Sequence, residues 1–224
     1  MPKKRETDSG CELCKTTSCH RRDKNFPSFC PTTAQDEKYL AKITARYSKT
    51  PNTRKIAEVS ASVEGDYYGI ATRVEETLIF IKRMGYKKIG VANCVGLIDE
   101  ANIFAKAAKA KGIEVYLASC KVGSIDKTDF GLAEGVKIKP GGFEAMCNPV
   151  LQAEMLDKAG CEFNIVMGLC VGHDTLFIAH SKAPVTYLVV KDRVLGHNPA
   201  AALNWTKSYY GRLLEPGFLE PRKR

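Results

Sequence analysis

The sequence predicts an α/β fold, in which a mostly parallel β-sheet is flanked by helices and follows a small cysteine-rich segment. Two observations carry this prediction. Over residues 86–211, short apolar runs alternate with helical patterns, an arrangement that produces parallel strands joined by helical crossovers. Residues 1–34, by contrast, are polar and contain four cysteines but no sustained hydrophobic periodicity.

Three helices are predicted before the first strand. Pro51 ends the first of them, and Asn52 is placed to cap the second. Gly85 ends the third, whose apolar side includes Val74 and Leu78. The three helices cover residues 36–47, 52–63 and 72–84, and they make residues 35–85 a helical connector packed on the core.

An α/β domain is predicted over residues 86–211, followed by a basic tail, residues 212–224. Its strands are separated by helices and, at residues 121–142, by a loop that is rich in glycine and lysine and passes over the sheet. Asn148 caps the helix after this loop, with Pro149 in its first turn. The predicted strands are 88–93, 113–119, 163–169 and 184–190, and the helices are 97–111, 148–159, 174–181 and one that opens at 198–199.

A weak internal repeat lies within this domain. Residues 89–96 are echoed by residues 165–172, and each segment is a predicted strand that leads through Cys-Val-Gly to a helix. Similarly, Cys147-Asn-Pro is echoed by His197-Asn-Pro, each at a predicted helix start. Together these matches predict two duplicated half-domains.

Composition argues against several classes of protein. The 224 residues are 44% hydrophobic and 26% charged, which is close to globular averages and unlike a disordered or coiled-coil chain. No apolar run approaches the roughly 18–20 residues that span a bilayer, and the first residues lack the apolar stretch of a secretory signal. We therefore expect a cytoplasmic protein with no membrane partner, whose nine cysteines serve metal ligation or thiol chemistry rather than structural disulfides.

Positive charge is concentrated towards the ends of the chain. The formal net charge is +9, and residues 1–60 carry 13 basic against 7 acidic side chains. A basic front end could contact nucleic acid, but no aromatic-basic motif of a known nucleic-acid module is present. A solvated basic surface is the simpler interpretation, and nucleic-acid binding is the weaker alternative.

The strongest local signal is a set of four cysteines in the first 30 residues. Their spacing is Cys11-x2-Cys14-x4-Cys19-x10-Cys30, in a segment with little else to fold around. Thiolates bind zinc tetrahedrally or hold an iron–sulfur cluster, and the binding energy replaces a missing apolar core. Only one cysteine pair is close and Cys30 precedes a proline, which favours a cluster slightly. The spacing matches no standard ferredoxin pattern, so zinc and iron–sulfur both stay open.

A second group of cysteines emerges from the predicted fold. Three cysteines lie where predicted strands end, and a fourth lies just before a predicted helix. The carboxyl ends of parallel strands border one crevice, into which helix N-termini direct partial positive charge. We expect these thiols to converge in a second cofactor-binding site; the alternative is that each is an apolar core residue. The expected site residues are Cys94, Cys120, Cys147, Cys170, His173 and His197.

Cys170, His173 and Asp174 lie within five residues of one another. This pattern fits a cysteine nucleophile with His173 as its base, and it fits two ligands beside a helix-capping aspartate equally well. Proximity in sequence does not establish the geometry of a catalytic triad. Cys170 and His173 are therefore candidate catalytic residues, and whether the protein is an enzyme stays open.

Several of these motifs resemble an uncharacterised prokaryotic family, a domain of unknown function described as predicted metal-binding proteins. The resemblance covers nearly the whole chain and rests on the N-terminal cysteine motif and on later segments. It implies an intracellular bacterial or archaeal protein that binds zinc or an iron–sulfur cluster, and it implies no particular activity. The later segments are residues 143–149, 168–174, 182–185 and 197–199.

The sequence thus predicts a metal-binding protein with a redox or electron-transfer role, whose partner is a small molecule or an electron-transfer protein. Two alternatives remain. One is a zinc-stabilised module that binds nucleic acid or protein, and the other is a thiol-dependent enzyme that uses Cys170.

Overall fold

The computed structural model describes residues 10–21 and 23–219 of the chain. The lysines and arginines predicted to add charge within residues 1–9 and 220–224 lie outside these ranges. Contacts within the chain divide it into two units, and the boundary along the sequence falls between Ser62 and Val63. This division falls inside the predicted helical connector. Within the described ranges, no helix is both long enough and apolar enough to span a bilayer.

The first unit is helical and has almost no buried interior. Asp36 caps the helix Glu37–Lys49, where its carboxylate accepts the N–H of Tyr39 at 2.6 Å. Among the described residues from 10 to 62, only Ser18 and Cys30 are buried. The unit therefore lacks an apolar core of its own in this part of the chain. Its helices are α1 (Ser18–Arg21), α2 (Glu37–Lys49) and most of α3 (Pro51–Tyr67).

The second unit is an α/β fold built on a four-stranded, all-parallel sheet, as predicted. The strands are β1 (Lys88–Asn93), β2 (Glu114–Ser119), β3 (Phe163–Met167) and β4 (Val185–Val189). Their order in the sheet is β2-β1-β3-β4, so β1 and β3 lie side by side in the centre. The helices are α4 (Arg73–Met84), α5 (Ile98–Lys109), α6 (Pro149–Lys158), α7 (His173–His180) and α8 (Ala200–Asn204).

The two faces of the sheet carry separate apolar clusters. Ile89 and Val91 pack with residues of α4 and α5, whereas Ala92 and Cys94 pack with residues of α6 and α7. Successive side chains of a strand point to opposite faces, so Cys94 falls on the same face as Ala92. Cys120 follows Ala118 in the same way. The cysteines after β1 and β2 therefore lie on the face that α6 and α7 cover.

The predicted signals at Gly85 and Asn148 are found at helix ends, and a capping box that was not predicted begins α4. Thr72 and Glu75 form a reciprocal capping box at the start of α4, and Gly85 ends this helix in the left-handed conformation. Asn148 Oδ1 accepts the N–H of Leu151 at 3.1 Å at the start of α6. Local signals thus account for the helices on both faces of the sheet.

Several boundaries differ from the predictions, most of all the end of α3, which lies at Tyr67 rather than at residue 63. Helix α3 begins at Pro51 rather than Asn52, because a proline in the first turn forfeits no helical hydrogen bond. Strand β3 ends at Met167, two residues early, because Gly168 turns the chain with a φ of 64°. Helix α8 begins at Ala200, and Asn198 makes no side-chain cap there. Cys170 therefore lies in a loop beyond β3 and not at the strand end itself.

Gly90 is required by close packing between β1 and α6. A methyl group at this position would lie 2.3 Å from Asn164 Oδ1 and 2.6 Å from Leu156 Cδ1, and both side chains are buried. We expect Gly90→Ala to lower the free energy of unfolding by about 1–3 kcal/mol, as overpacked cores do. Urea denaturation measures this change. Gly135→Ala is the matched control, since nothing lies within 4 Å of its added methyl group; equal losses in the two variants would contradict the packing argument.

Candidate functional site

Cys94 and Cys120 lie side by side because they follow neighbouring parallel strands. Cys94 comes directly after β1 and Cys120 directly after β2. The N–H of Cys120 donates to the carbonyl of Asn93 at 2.8 Å, which continues the ladder to the end of the sheet. Both thiols are buried, and they lie within hydrogen-bonding reach of one another. The structure thus places these two cysteines together, and their role in a binding site stays a prediction.

Cys147 joins them through the segment of residues 121–146, which we term the excursion loop. The N–H of Asn148 donates to the carbonyl of Cys120 at 2.8 Å, so the two ends of the loop meet. This contact brings Cys147 Sγ to 3.7 Å from Cys120 Sγ. Cys120 thus contacts a thiol on either side, and we call Cys94, Cys120 and Cys147 the thiol row. Cys147 is its partly exposed member.

Ion pairs hold the excursion loop in shape. The Lys137 amine, whose side chain is only 5% exposed, lies 2.8 Å from the Asp126 carboxylate and 3.0 Å from that of Glu134. Asp126 also accepts the N–H of Glu144 at 2.7 Å, and Lys127 pairs with the Glu144 carboxylate at 2.6 Å. The position of Cys147 therefore depends on charged contacts made within the loop.

Acid should loosen the excursion loop. The hydrogen bond from Lys137 holds the pKa of Asp126 well below its usual range. A carboxyl whose pKa is lower in the folded protein than in the unfolded protein stabilises the fold at pH values above the unfolded pKa of about 3.9. This stabilisation is lost as the pH falls from that value towards the folded pKa. We expect Asp126→Asn to speed proteolytic cleavage within the loop at neutral pH. Lowering the pH should then increase the cleavage rate less in this variant than in the parent protein. Asp129→Asn, which changes an exposed carboxylate in the same loop, is the control; similar cleavage of both variants would argue against the ion pair.

Cys170 lies beside the thiol row, in the loop that leads from β3 to α7. Its backbone carbonyl accepts the N–H of His173 at 2.9 Å, which begins α7. Arg193 Nη2, from the turn after β4, lies 2.9 Å from Cys170 Sγ. Cys170 is thus placed next to a fixed positive charge.

His173 faces Cys147 from the first turn of α7. Its side chain interacts with the Cys147 thiol, so the candidate base predicted for Cys170 instead lies against a different cysteine. His173 Nδ1 is buried and has no hydrogen-bond partner among the described residues. The structure therefore offers His173 as a group that can stabilise a charged Cys147.

The thiols of the row differ in acidity. Contact with Cys120 lowers the pKa of Cys147, and His173 and Lys121 add to this effect. Contact with Cys120 lowers the pKa of Cys94 as well, and Lys191 contributes positive charge there. The pKa of Cys120 is raised, because its proton is shared with these two neighbours and the thiol is buried. An accessible thiolate thus lies against a buried thiol.

The low pKa of Cys147 has a measurable consequence. An ordinary thiol has a pKa of about 8.5. Below its pKa, the fraction of thiolate falls about tenfold for each pH unit, and the alkylation rate falls with it. Because Cys147 is already ionised, we expect its alkylation by iodoacetamide to change little between about pH 6 and pH 8. N-acetylcysteine is the reference. Parallel pH profiles for Cys147 and the reference would contradict the lowered pKa.

His197 shapes the turn that carries Arg193. Its Nδ1 accepts the N–H of Asp192 at 3.1 Å, and the Asp192 carboxylate accepts the N–H of Val194 at 2.9 Å. Within the described residues, no hydrogen bond joins His197 to a site thiol. The structure thus brings His197 to the edge of the site as a support for Arg193.

The four N-terminal cysteines are gathered only in part. Cys11 and Cys19 are exposed. Hydrogen bonds from Thr32 lower the pKa of the Cys30 thiol, and Cys14 is close enough for its charge to oppose this effect. Across residues 10–21 and 23–219, no three His, Cys, Asp or Glu side chains are arranged to hold one metal ion. The same is true of the strand-end thiols. Metal ligation by either group stays a prediction.

Three cations at the site were not among the predicted residues. Lys121, Lys191 and Arg193 lie near Cys147, Cys94 and Cys170 respectively. Lys121 directly follows Cys120, and the other two follow β4. The rule that located the cysteines, that residues just after parallel strands meet at one edge, applies to these cations as well. The same rule, applied to charged residues as well as to cysteines, would have predicted Lys121, Lys191 and Arg193 at this edge of the sheet.

Comparison with known proteins assigns the chain to a family. Residues 30–188, which contain Cys94, Cys120, Cys147, Cys170 and His173, match the family described as a protein of unknown function, DUF1847. The chain is also 53% identical over 174 residues to the uncharacterized protein MJ0455 of Methanocaldococcus jannaschii, an alignment that covers 78% of this chain and 87% of that protein. These matches confirm the resemblance to an uncharacterised prokaryotic family but do not address its metal binding. The chain belongs to the DUF1847 family.

Proposed function

We propose that the α/β unit is a dithiol redox protein that exchanges electrons with a small-molecule disulfide. The observation that carries this proposal is the 3.7 Å separation between the partly exposed Cys147 Sγ and the buried Cys120 Sγ. Exchange requires an accessible thiolate that attacks and a second thiol close behind it that resolves the intermediate. Cys147 and Cys120 meet these two requirements.

The reaction proceeds in two balanced steps. The Cys147 thiolate attacks one sulfur of the substrate RSSR; a bond forms between Cys147 and that sulfur, the substrate S–S bond breaks, and RS⁻ leaves. Cys120 then loses its proton and attacks Cys147 Sγ, which forms the Cys120–Cys147 disulfide and expels the second RS⁻. Two electrons pass from the protein to the substrate. The products leave as two RSH, which take up the Cys120 proton and one proton from solvent.

The surroundings suit these steps. His173 and Lys121 stabilise negative charge on Cys147 before attack. The backbone N–H of Val95 points at Cys120 Sγ from 3.3 Å and can stabilise the thiolate that forms there when the proton leaves. The two sulfurs must close from 3.7 Å to about 2 Å in the disulfide. Transient disulfides of this kind also occur in reducing compartments.

Counting released thiols tests the proposal. We expect the reduced protein, mixed with excess bis(2-hydroxyethyl) disulfide, to release two thiols per chain in a fast phase. Cys161→Ala is the control, because burial raises the pKa of that cysteine and should make it unreactive. A fast phase that is absent, or no faster than the reaction of N-acetylcysteine, would refute the proposal.

We also propose, as a second function, that the cysteine-rich segment binds zinc or an iron–sulfur cluster through Cys11, Cys14, Cys19 and Cys30. The near absence of buried residues in the described part of the first unit supports it, because such a segment needs an external group to fix its fold. Anaerobic purification with metal analysis and a visible spectrum tests it. We expect one centre per chain that is lost in Cys14→Ser and kept in Cys94→Ser. Loss of metal in Cys94→Ser would instead place a centre at the strand ends and count against the dithiol proposal.

Two further predictions stand as proposals. The units β1-α5-β2 and β3-α7-β4 are each a parallel βαβ unit, which supports an origin by duplication. Ile89 pairs with Phe163 rather than Ile165, so the two Cys-Val-Gly sequences are offset by two residues along the sheet. Nucleic-acid binding rests only on the basic front end, and binding that is insensitive to salt would exclude it.

A further inference from the structure

We propose that the substrate disulfide carries a carboxylate, which Arg193 and Lys191 bind beside the thiols. This inference rests on the proposed dithiol function and names its substrate class. The observations behind it are the placement of the cations, the free donors of Arg193, and the route by which solvent reaches the sulfurs.

Three cations border the site without carboxylate partners. No ion pair joins Lys121, Lys191 or Arg193 to an acidic side chain among the residues that the structure describes. Elsewhere in the same unit, lysines are paired, as with Lys137 and Asp126 at 2.8 Å. The nearby Asp174 is turned towards Tyr187, with which it shares a hydrogen bond. The rim therefore carries three cations that form no ion pairs with the described residues, while the Asp174 and Asp192 carboxylates beside them are engaged by Tyr187 and by backbone N–H groups.

Arg193 has donors to spare. Its guanidinium is exposed and uses one nitrogen, Nη2, to contact Cys170. A guanidinium group presents five N–H donors in a planar fork, which matches the two oxygens of a carboxylate. The turn that carries Arg193 is fixed at its base, since Asp192 accepts the N–H groups of Val194 and Leu195 at 2.9 and 2.8 Å. Arg193 is thus held where a substrate anion can meet it.

Lys191 extends the positive rim over the thiol row. If Gly96 carried a methyl group, that carbon would lie 3.9 Å from the Lys191 amine. The positive charge of Lys191 also helps to lower the pKa of Cys94. Arg193 in turn is close enough to Cys94 and Cys147 for their charges to act on it. Both cations therefore lie within reach of a molecule whose sulfur is at Cys147.

The open side of the site coincides with these cations. Cys147 and Cys170 are partly exposed, whereas Cys94 and Cys120 are buried. Val171, next to Cys170, is 93% exposed, so nothing among the described residues covers this loop. A substrate must approach along the side where Arg193 lies. A cation there also stabilises the negative charge that develops on the leaving thiolate.

A set of disulfides that differ in charge tests the inference. The probes are 3,3′-dithiodipropionate, which carries two carboxylates, neutral bis(2-hydroxyethyl) disulfide, and cationic cystamine. Each rate of Cys147 oxidation is divided by the rate of the neutral thiol N-acetylcysteine amide with the same probe, which removes intrinsic reactivity. At low salt we expect a preference of about tenfold or more for the dicarboxylate over the neutral probe, the size of electrostatic effects in charged clefts.

Variants separate charge from geometry. We expect Arg193→Gln to reduce this preference several-fold and Arg193→Lys to restore part of it, because lysine keeps the charge but not the fork. Lys106→Gln is the control: it removes one charge from α5, on the opposite face of the sheet, and should leave the preference unchanged. Equal normalised rates for all three probes would overturn the inference and leave the dithiol function standing. Failure of every probe to oxidise Cys147 would instead refute the dithiol function.

Discussion

Cys147→Ser is expected to abolish the fast reaction with small disulfides. Cys147 is the member of the thiol row that is both partly exposed and held as a thiolate, by Cys120, His173 and Lys121. Other accessible cysteines would then carry the reaction, and an unperturbed thiol with a pKa of about 8.5 is only about 3% ionised at neutral pH. A thiolate of low pKa is also a weaker nucleophile, which offsets part of this difference, so we expect the rate to fall several-fold. Stopped-flow measurement of thiol release from reduced protein follows this change.

Two comparisons guard this result against a loss of folding. Serine preserves the size of the side chain, and a far-ultraviolet spectrum and thermal melt that match the parent protein exclude gross disruption. Cys161→Ala, which removes a buried cysteine outside the site, should react at the parent rate. A Cys147→Ser protein that folds normally and keeps the fast phase would show that another thiol attacks, and Cys170, beside Arg193, would be the next candidate.

Cys120→Ser is expected to stop the reaction halfway. Cys147 can still attack the substrate in this variant, but no sulfur lies behind it to expel the second half of the disulfide. The protein should therefore release one thiol instead of two and retain one substrate half as a mixed disulfide on Cys147. Intact-mass analysis followed by peptide mapping detects this adduct. The parent protein should show it only transiently.

Cys94→Ser distinguishes the two possible resolving thiols. Cys94 contacts Cys120, and Cys120 in turn contacts Cys147, so Cys120 lies between the other two thiols. We expect Cys94→Ser to complete both steps, with some loss of rate because it alters the hydrogen bonding of Cys120. If Cys94→Ser accumulates the mixed disulfide and Cys120→Ser does not, the assigned order of the thiols is wrong.

The sequence predicted the α/β class because its signals are local. Asn148 caps α6, Gly85 ends α4, and the apolar runs of the sheet are separated by helices. From parallel strands alone it follows that Cys94 and Cys120 share one edge. These inferences need only hydrophobic periodicity, caps and the geometry common to all parallel sheets.

The rest of the site depends on contacts between residues far apart in the chain. Cys147 reaches Cys120 because the excursion loop folds back on itself, which ion pairs such as Lys137 with Asp126 stabilise. The position of Cys170 depends on Gly168, whose left-handed φ ends β3 early; a methyl group there would lie 2.1 Å from Leu97 Cδ1. Periodicity does not encode such long-range packing. The sequence therefore indicated which residues share an edge but not which of them touch.

Peptide mapping of the oxidised protein tests the central claim most directly. Reduced protein is equilibrated with a small disulfide, the remaining thiols are alkylated, and the cross-linked peptides are identified by mass spectrometry. The account predicts a single dominant cross-link, between the peptides that contain Cys120 and Cys147. A dominant cross-link between other cysteines, or only mixed disulfides with the small molecule, would contradict it.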